Sequence, residues 1–233
     1  MKNLKKFAAL AIAATMMFTC AACGGGNGEG NNTQNENNTQ VENNTQTENN
    51  DTQANNDTQN EGGAVNAEIA DAADLLTKVW DEYKTSASED VQFPIGGGDA
   101  ENMTMDVPGK YDVTVEGGAE GLTATYCIPA DVIAMADNFA TGLHMMMSNN
   151  FTTAALHVTD AANVETAVAA IKDATINNQW MCGMPEKLVI VTIGEDYVVS
   201  AYGLEAIIDA YKTAITTVYG DAAVISVEES LMQ

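Results

Sequence analysis

The chain has 233 residues, with nine lysines, no arginine and 33 acidic residues, and a formal net charge of −24. A surface with this balance repels phosphate, which excludes nucleic acid as a partner and disfavours anionic lipid headgroups. Cationic partners, metal ions and simple solubility remain compatible with the charge.

Residues 1–22 have the pattern of a secretory signal. Lys2, Lys5 and Lys6 precede an apolar run over 7–18, and a basic start before a short apolar stretch is typical of an exported chain. A membrane-spanning helix needs roughly 20 apolar residues, so this run is too short for a permanent span. We expect the segment to be removed on export, which leaves six lysines against 33 acids.

Cys23 is the predicted attachment point of a lipid. It follows two alanines and precedes three glycines, a pattern that resembles the lipobox of bacterial lipoproteins. In that family the signal is cut just before the acylated cysteine, and the acyl chains hold the protein on the outer face of the cell membrane. Cys20, with bulky Phe18 two positions before it, is the alternative site. An ordinary cleaved signal without a lipid is the other alternative.

Residues 23–63 carry a six-residue repeat with almost no apolar side chain. Asn-Asn-Thr-Gln recurs at 31–34, 37–40 and 43–46. A repeat with nothing to bury cannot offset the entropy that ordering its backbone would cost. We expect a disordered tether that separates the membrane from a single domain, residues 64–233.

The first half of this domain is predicted to contain two helices and a long loop. Apolar residues recur every three or four positions over 67–85, as on one face of a helix. Prolines and glycines predict a loop over 94–109, followed by a short strand near 112–115 and a turn at 117–118. Pro129 is expected to open the second helix, which runs to Ala136, because proline suits a first helical turn.

The second half shows clearer patterns. β-Branched runs predict strands, three- and four-residue apolar spacing predicts helices, and Asp160 is a suitable N-cap. The order α–α–β–α–β–β–α predicts an α+β domain with a small mixed sheet packed against helices. The expected strands are 151–158, 187–193, 197–202 and 223–227, and the expected helices are 160–178 and 203–219.

Four segments of the domain, at 93–99, 107–112, 144–152 and 180–188, carry a resemblance to known proteins. They resemble a group of lipoproteins from Gram-positive anaerobes. That group is described as a domain of unknown function or labelled bacteriocin transport accessory protein. The resemblance implies a lipid-anchored α/β domain of unproven activity, and it carries over no catalytic residue and no cofactor. The most specific part of the resemblance is the pattern Gly-x-Pro-x-Lys-Leu at 183–188, before the predicted hairpin.

Cys127 and Cys182 are the two cysteines of the predicted domain. The residues from Trp180 to Pro185 are similar to the active-site loop of thioredoxin-like proteins. They lack the second cysteine of that loop, however, and they follow a helix rather than a strand. Thiol-redox activity of Cys182 is one interpretation. A disulfide between Cys127 and Cys182, which an exported chain allows, and two separate buried thiols are the others.

His144 and the methionines at 145–147 contain the donors that suit a soft metal such as Cu(I). Consecutive residues of one element point in different directions, and methionine also fills cores and lines grooves. We therefore expect a core or a groove here. His157 lies in the predicted strand 151–158, on the face opposite its neighbours, and is expected to be exposed or lightly paired.

Three further residues and a glycine run are candidates for ion binding. Asp99, Glu101 and Asp106 could supply oxygens to Ca²⁺, but their spacing is not that of an EF-hand loop. Gly96–Gly98 lacks the lysine of a phosphate-binding loop and is expected to form a turn.

The chain offers no set of side chains typical of an enzyme, with two histidines, no arginine and no readable Ser-His-Asp arrangement. We therefore expect a non-enzymatic binding or accessory module without a cofactor, whose partner is an extracytoplasmic protein or ligand. A thiol-redox protein and a metal-binding accessory protein are the alternatives.

Overall fold

The computed structural model describes residues 67–181 and 183–232. The predicted signal, the lipid site at Cys23 and the tether lie outside the described residues, and so does Cys182. Among the described residues, no helix combines the length and the apolar character needed to cross a membrane.

The described residues form five α-helices and eight strands. The helices are α1 (Ala72–Ser86), α2 (Gly118–Tyr126), α3 (Ala130–Ile133), α4 (Val164–Ile176) and α5 (Glu205–Tyr219). The strands are β1 (Ile95–Gly97), β2 (Thr104–Met105), β3 (Gly109–Lys110), β4 (Ala136–His144), β5 (Phe151–Val158), β6 (Lys187–Ile193), β7 (Tyr197–Gly203) and β8 (Ala223–Ser230).

All eight strands belong to one sheet in the order β2-β1-β4-β5-β7-β6-β8, with β3 beside β4. The α+β class is confirmed, whereas the sheet is larger than the expected small sheet and every pairing is antiparallel. Strands β5 and β6 are joined by helix α4, a connection suited to strands that point the same way. Strand β7 lies between them, so each hydrogen-bonded pair is antiparallel rather than mixed.

Helices cover both faces of the sheet and enclose two apolar cores. On one face, α1 and α5 pack together over residues that include Phe151 and Val189. On the other face, α2, α3 and α4 pack over residues that include Leu156 and Leu188. Because β6 is buried on both sides, alternate residues such as Leu188 and Val189 enter different cores, which explains its unbroken apolar run.

Strands 151–158 and 187–193 have the predicted bounds, and the other elements predicted for the second half are also confirmed. Asp160 caps the start of its helical segment by accepting a hydrogen bond from the N–H of Ala162 at 3.0 Å. The final strand is longer than predicted and reaches Ser230.

Most differences between the predicted and the observed elements lie in the first half of the domain. Helix α1 is confirmed but starts only at Ala72, because Asp71 is its N-cap and accepts the N–H of Asp74 at 2.8 Å. The strand predicted at 112–115 is wrong, since these residues form a turn. The predicted loop over 94–109 contains β1, β2 and β3, and the helix predicted from Pro129 ends at Ile133 because the chain then enters β4.

Helix α2 and strand β4 were not expected from the sequence. Helix α2 contains two glycines and two threonines, which are residues of low helix propensity, and it is stabilised by the burial of Leu122 and Tyr126. Strand β4 starts with polar residues, and it is a strand because β1, β3 and β5 all pair with it.

Candidate functional site

A groove of about 350 Å³ opens on the α2 face of the sheet, at the edge formed by β1 and β2. Its floor is the backbone of Gly96–Gly98, and Tyr126 of α2 stands on one side. Leu143, Met145 and Met103 complete the apolar lining. We call this the methionine groove. Its volume lies near the lower end of the roughly 300–1,000 Å³ typical of ligand pockets.

Two of the three glycines of the floor are required, each for a different reason. A side chain on Gly97 would collide with the backbones of Gly109 and Thr141, which cross close to β1, and Gly98 has a positive φ of 84°. A Cβ on Gly96, by contrast, would lie 3.7 Å from Cγ of Met145, an ordinary contact. The groove is therefore open at Gly96 because a side chain is missing, and the backbone there would accept one.

Asp99 closes one end of the groove as a buried carboxylate. It accepts hydrogen bonds from the backbone N–H groups of Glu101 at 2.8 Å, Asn102 at 3.0 Å and Asp112 at 2.9 Å. Burial alone would raise the pKa of Asp99, but these donors and the Asn102 amide lower it to about 2. The carboxylate is thus charged at neutral pH and fully engaged by the protein.

The hydrogen bonds that Asp99 accepts argue against a calcium site formed by Asp99, Glu101 and Asp106. Glu101 is exposed to solvent, and the carbonyl of Asp106 accepts a hydrogen bond from the Trp80 indole at 3.1 Å. Within the described ranges no group of three His, Cys, Asp or Glu side chains is arranged to hold a metal ion. The structure brings Asp99 into the groove wall and leaves the other two acids outside it.

Methionines dominate the exposed apolar surface. Eight of the eleven large apolar side chains exposed among the described residues are methionines. Met105 lies directly opposite Gly96 in the β1–β2 pair, and Cε of Met147 lies 3.9 Å from the position a Cβ would take on Gly183. The exposed methionines therefore extend from the groove toward the segment after α4. Seven occur in three segments, Met103 and Met105, Met145–Met147, and Met181 with Met184.

His144 shapes the turn that carries three of these methionines. Its Nδ1 accepts the backbone N–H groups of Met146 at 3.1 Å and Met147 at 3.2 Å, and its ring stacks on Phe93 with centroids 4.8 Å apart. Burial lowers the pKa of this imidazole. Phe93 packs against the α1–α5 core, whereas Leu143 and Met145 line the groove on the other face. His144 and Met145 therefore do not converge on one ion.

Contacts with Asn149 and Tyr202 hold Trp180, Met181 and Gly183 in place. The side-chain amide of Asn149 donates to the carbonyls of Met181 at 2.9 Å and Gly183 at 2.7 Å. The Trp180 ring lies 4.9 Å from the ring of Tyr202, whose hydroxyl donates to the carbonyl of Thr125 in the groove wall. The indole Nε1 of Trp180 is buried without a hydrogen-bond acceptor among the described residues.

Cys127 lies at the end of α2 and is buried in the core beneath it. Burial raises its pKa to about 11, although hydrogen bonding with Thr175 and Tyr202 opposes the rise. A thiol with this pKa is a poor nucleophile at neutral pH. Because Cys182 lies outside the described residues, its bridge to Cys127 and its redox activity both stay predictions.

His157 is lightly paired, as expected. Its ring nitrogens contact the carboxylates of Asp137 at 2.7 Å and Asp196 at 3.2 Å, and the side chain is 28% exposed. Hydrogen bonding to Asp137 raises the pKa of the imidazole, burial opposes this, and Asp196 adds to the rise. His157 does not line the groove.

Several residues of the groove were not expected from the sequence. Tyr111, Tyr126 and Leu143 come together only through the sheet and α2, and no local pattern marks them. Met103 and Met105 do carry a signal, because they are large apolar residues within the otherwise polar stretch 99–106. Of the two expectations for the methionines at 145–147, groove lining applies to Met145, and burial in a core is wrong.

The sequence matches no protein-family model, and comparisons with curated proteins and with solved structures found no similar protein.

Proposed function

We propose that this chain is a non-enzymatic binding module, anchored by a lipid on Cys23 to the outer face of a cell membrane, and that it binds its ligand in the methionine groove. The single observation that carries the proposal is a groove with a bare glycine floor and exposed methionine walls. The signal, lipobox and tether patterns support the location.

The apolar character of the groove supports binding. Large apolar side chains on a protein surface are costly to leave in water unless a partner covers them, and clusters of them mark interaction sites. Methionine is unbranched and polarisable, so it adapts to ligands of different shape. The sheet beneath supplies a fixed floor, because β1 is paired on both sides by β2 and β4.

The ionisable groups of the groove favour binding over catalysis. Those among its lining residues are Asp99, Tyr111 and Tyr126. Asp99 has a pKa of about 2, and its carboxylate oxygens already accept hydrogen bonds from Glu101, Asn102 and Asp112. Burial raises the pKa of Tyr111, and it raises that of Tyr126 to about 12. None of the three exchanges a proton near neutral pH, as a general acid or base would have to.

Filling the groove tests the proposal. Gly96→Val adds a side chain where the backbone tolerates one, and valine suits a strand. We expect a neutral, environment-sensitive apolar dye to fluoresce with the wild-type protein and to lose most of that signal with Gly96→Val. Ser226→Val, an exposed position on strand β8 at the opposite edge of the sheet, is the matched control. Equal dye binding by all three proteins would contradict the proposal.

A further inference from the structure

We infer that the occupant of the methionine groove is a cationic amphipathic peptide segment, with apolar side chains in the groove and lysine or arginine side chains beside the surrounding acids. This inference rests on the proposed function and adds the chemistry of the ligand. Its basis is the combination of an apolar groove with an excess of negative charge.

The charge of the domain is strongly one-sided. Residues 67–232 contain six lysines and 26 acids. Five of those lysines are already engaged with carboxylates of the domain, some of them by two acids at once. These five are Lys78, Lys84, Lys172, Lys187 and Lys212, and none of them lines the groove. The sixth, Lys110, is exposed and precedes the lining residue Tyr111 in the chain.

Acids outnumber lysines four to one among the lining residues of the groove and their immediate neighbours in the chain, with Asp99, Glu101, Asp112 and Glu120 against Lys110. Asp99 lines the groove, and its pKa of about 2 keeps it charged at neutral pH. Glu101 is exposed and follows the lining residue Ala100 in the chain. Glu120 is exposed and precedes the lining residue Gly121 in the chain, but its side chain lines a different pocket, with Ala119 and Thr123. Neither glutamate has a lysine within ion-pair distance among the described residues. A ligand that brings cations neutralises this field, and one that brings anions is repelled.

The same charges argue against the other occupants. The segment 24–63 of this chain carries acids and almost no apolar residue, so it complements neither the charge nor the lining. A second copy would bring another 26 acids against six lysines. Anionic lipids and nucleotides are repelled by the acids of the domain. A peptide with both apolar and basic side chains matches the groove and its surroundings together.

Binding of three labelled peptides of equal length tests the inference. The first has leucine and phenylalanine on one helical face and lysine on the other. The second replaces each lysine by glutamate, and the third keeps the lysines but replaces the apolar residues by serine. The protein is the mature chain from residue 23 with Cys23→Ser, which carries neither the signal nor the acyl chains, and Kd is measured by fluorescence anisotropy.

We expect the first peptide to bind at least about tenfold more tightly than either of the others. Gly96→Val should weaken its binding by about tenfold, Glu101→Gln with Glu120→Gln should weaken it less and reduce its salt dependence, and Ser226→Val should leave it unchanged.

The contrary outcomes separate the two proposals. If the glutamate peptide or a neutral apolar dye binds and the lysine peptide has no advantage, the cationic inference is overturned while the groove remains a binding site. If the serine peptide binds as well as the first, or Gly96→Val has no effect, the peptide does not occupy the groove and the inference is overturned. If neither the peptides nor the dye bind, the proposed function of the methionine groove as a binding site is also contradicted.

Discussion

The backbone N–H of Asp112 donates a 2.9 Å hydrogen bond to the carboxylate of Asp99. This contact joins the loop after β1 to the segment that leads into α2, 13 residues later in the chain. The two sides of the methionine groove are therefore held together by one buried charge, and the stability of the groove depends on its ionisation.

Asp99→Asn should destabilise the domain by roughly 2 kcal/mol, because an amide in this position replaces an anion that accepts several N–H groups. Urea denaturation at pH 7 measures the change, with Glu89→Gln at an exposed position as the control.

The same carboxylate predicts a dependence on pH. Because the folded-state pKa of Asp99 is lowered to about 2, its contribution is present above the ordinary carboxyl pKa of 3.8 and is lost as the pH falls toward 2. The stability difference between wild type and Asp99→Asn should therefore shrink over this range. A difference that stays constant from pH 5 to about 2 would contradict the assignment.

The lipid prediction is tested by labelling cells that express the protein with an alkyne analogue of palmitate. Cys23→Ser should abolish the label, because the acyl chains are attached through that sulfur, and Cys20→Ser should retain it. Loss of label in Cys20→Ser alone would move the anchor to Cys20, and no label in the wild type would favour an ordinary cleaved signal.

Cys127 should react slowly with iodoacetamide in the native protein. Its burial and its pKa of about 11 keep the sulfur protonated and enclosed. The measurement uses Cys182→Ser, so that only one cysteine of the domain remains, and unfolding in urea should restore fast alkylation. In the wild type, a thiol that reacts rapidly below pH 7 would identify an activated Cys182 and support the thiol-redox alternative over the binding module.

His157 should titrate above its ordinary pKa of 6.5, since Asp137 and Asp196 both stabilise its charged form. The stabilisation from this imidazolium is complete below pH 6.5 and is lost as the pH rises through the raised pKa. NMR titration of the ring protons should show Asp137→Asn shifting the midpoint downward. Asp81→Asn, an exposed acid on α1, provides the control.

The contrast between the two halves of the domain shows what sequence patterns can predict. Strand β5 and the β6–β7 hairpin carry β-branched runs whose local preference agrees with their final structure. Strand β4 has Asp137 and Asn138 as its second and third residues, and its conformation depends on partners far away in the sequence. Helix α2 depends in the same way on the burial of Leu122 and Tyr126.

The groove was only partly predictable for the same physical reason. The expectation that the methionines at 145–147 line a groove identified Met145, because side chains of this type tolerate exposure at binding surfaces. The opposite wall is built from Tyr111 and Tyr126, whose proximity requires the sheet, α2 and Asp99 to be in place. No local pattern in a single sequence shows that residues on separate elements will come into contact in the fold.

The position of the groove at the sheet edge has a consequence for the evolution of this protein. Met103 is 72% exposed and Met145 is 43% exposed, so neither contributes much to either apolar core. Substitutions at these positions should therefore cost the fold little, while the glycine floor and Asp99 fix the geometry beneath them. Related proteins could acquire different ligand preferences by changing the wall side chains and keeping the scaffold unchanged.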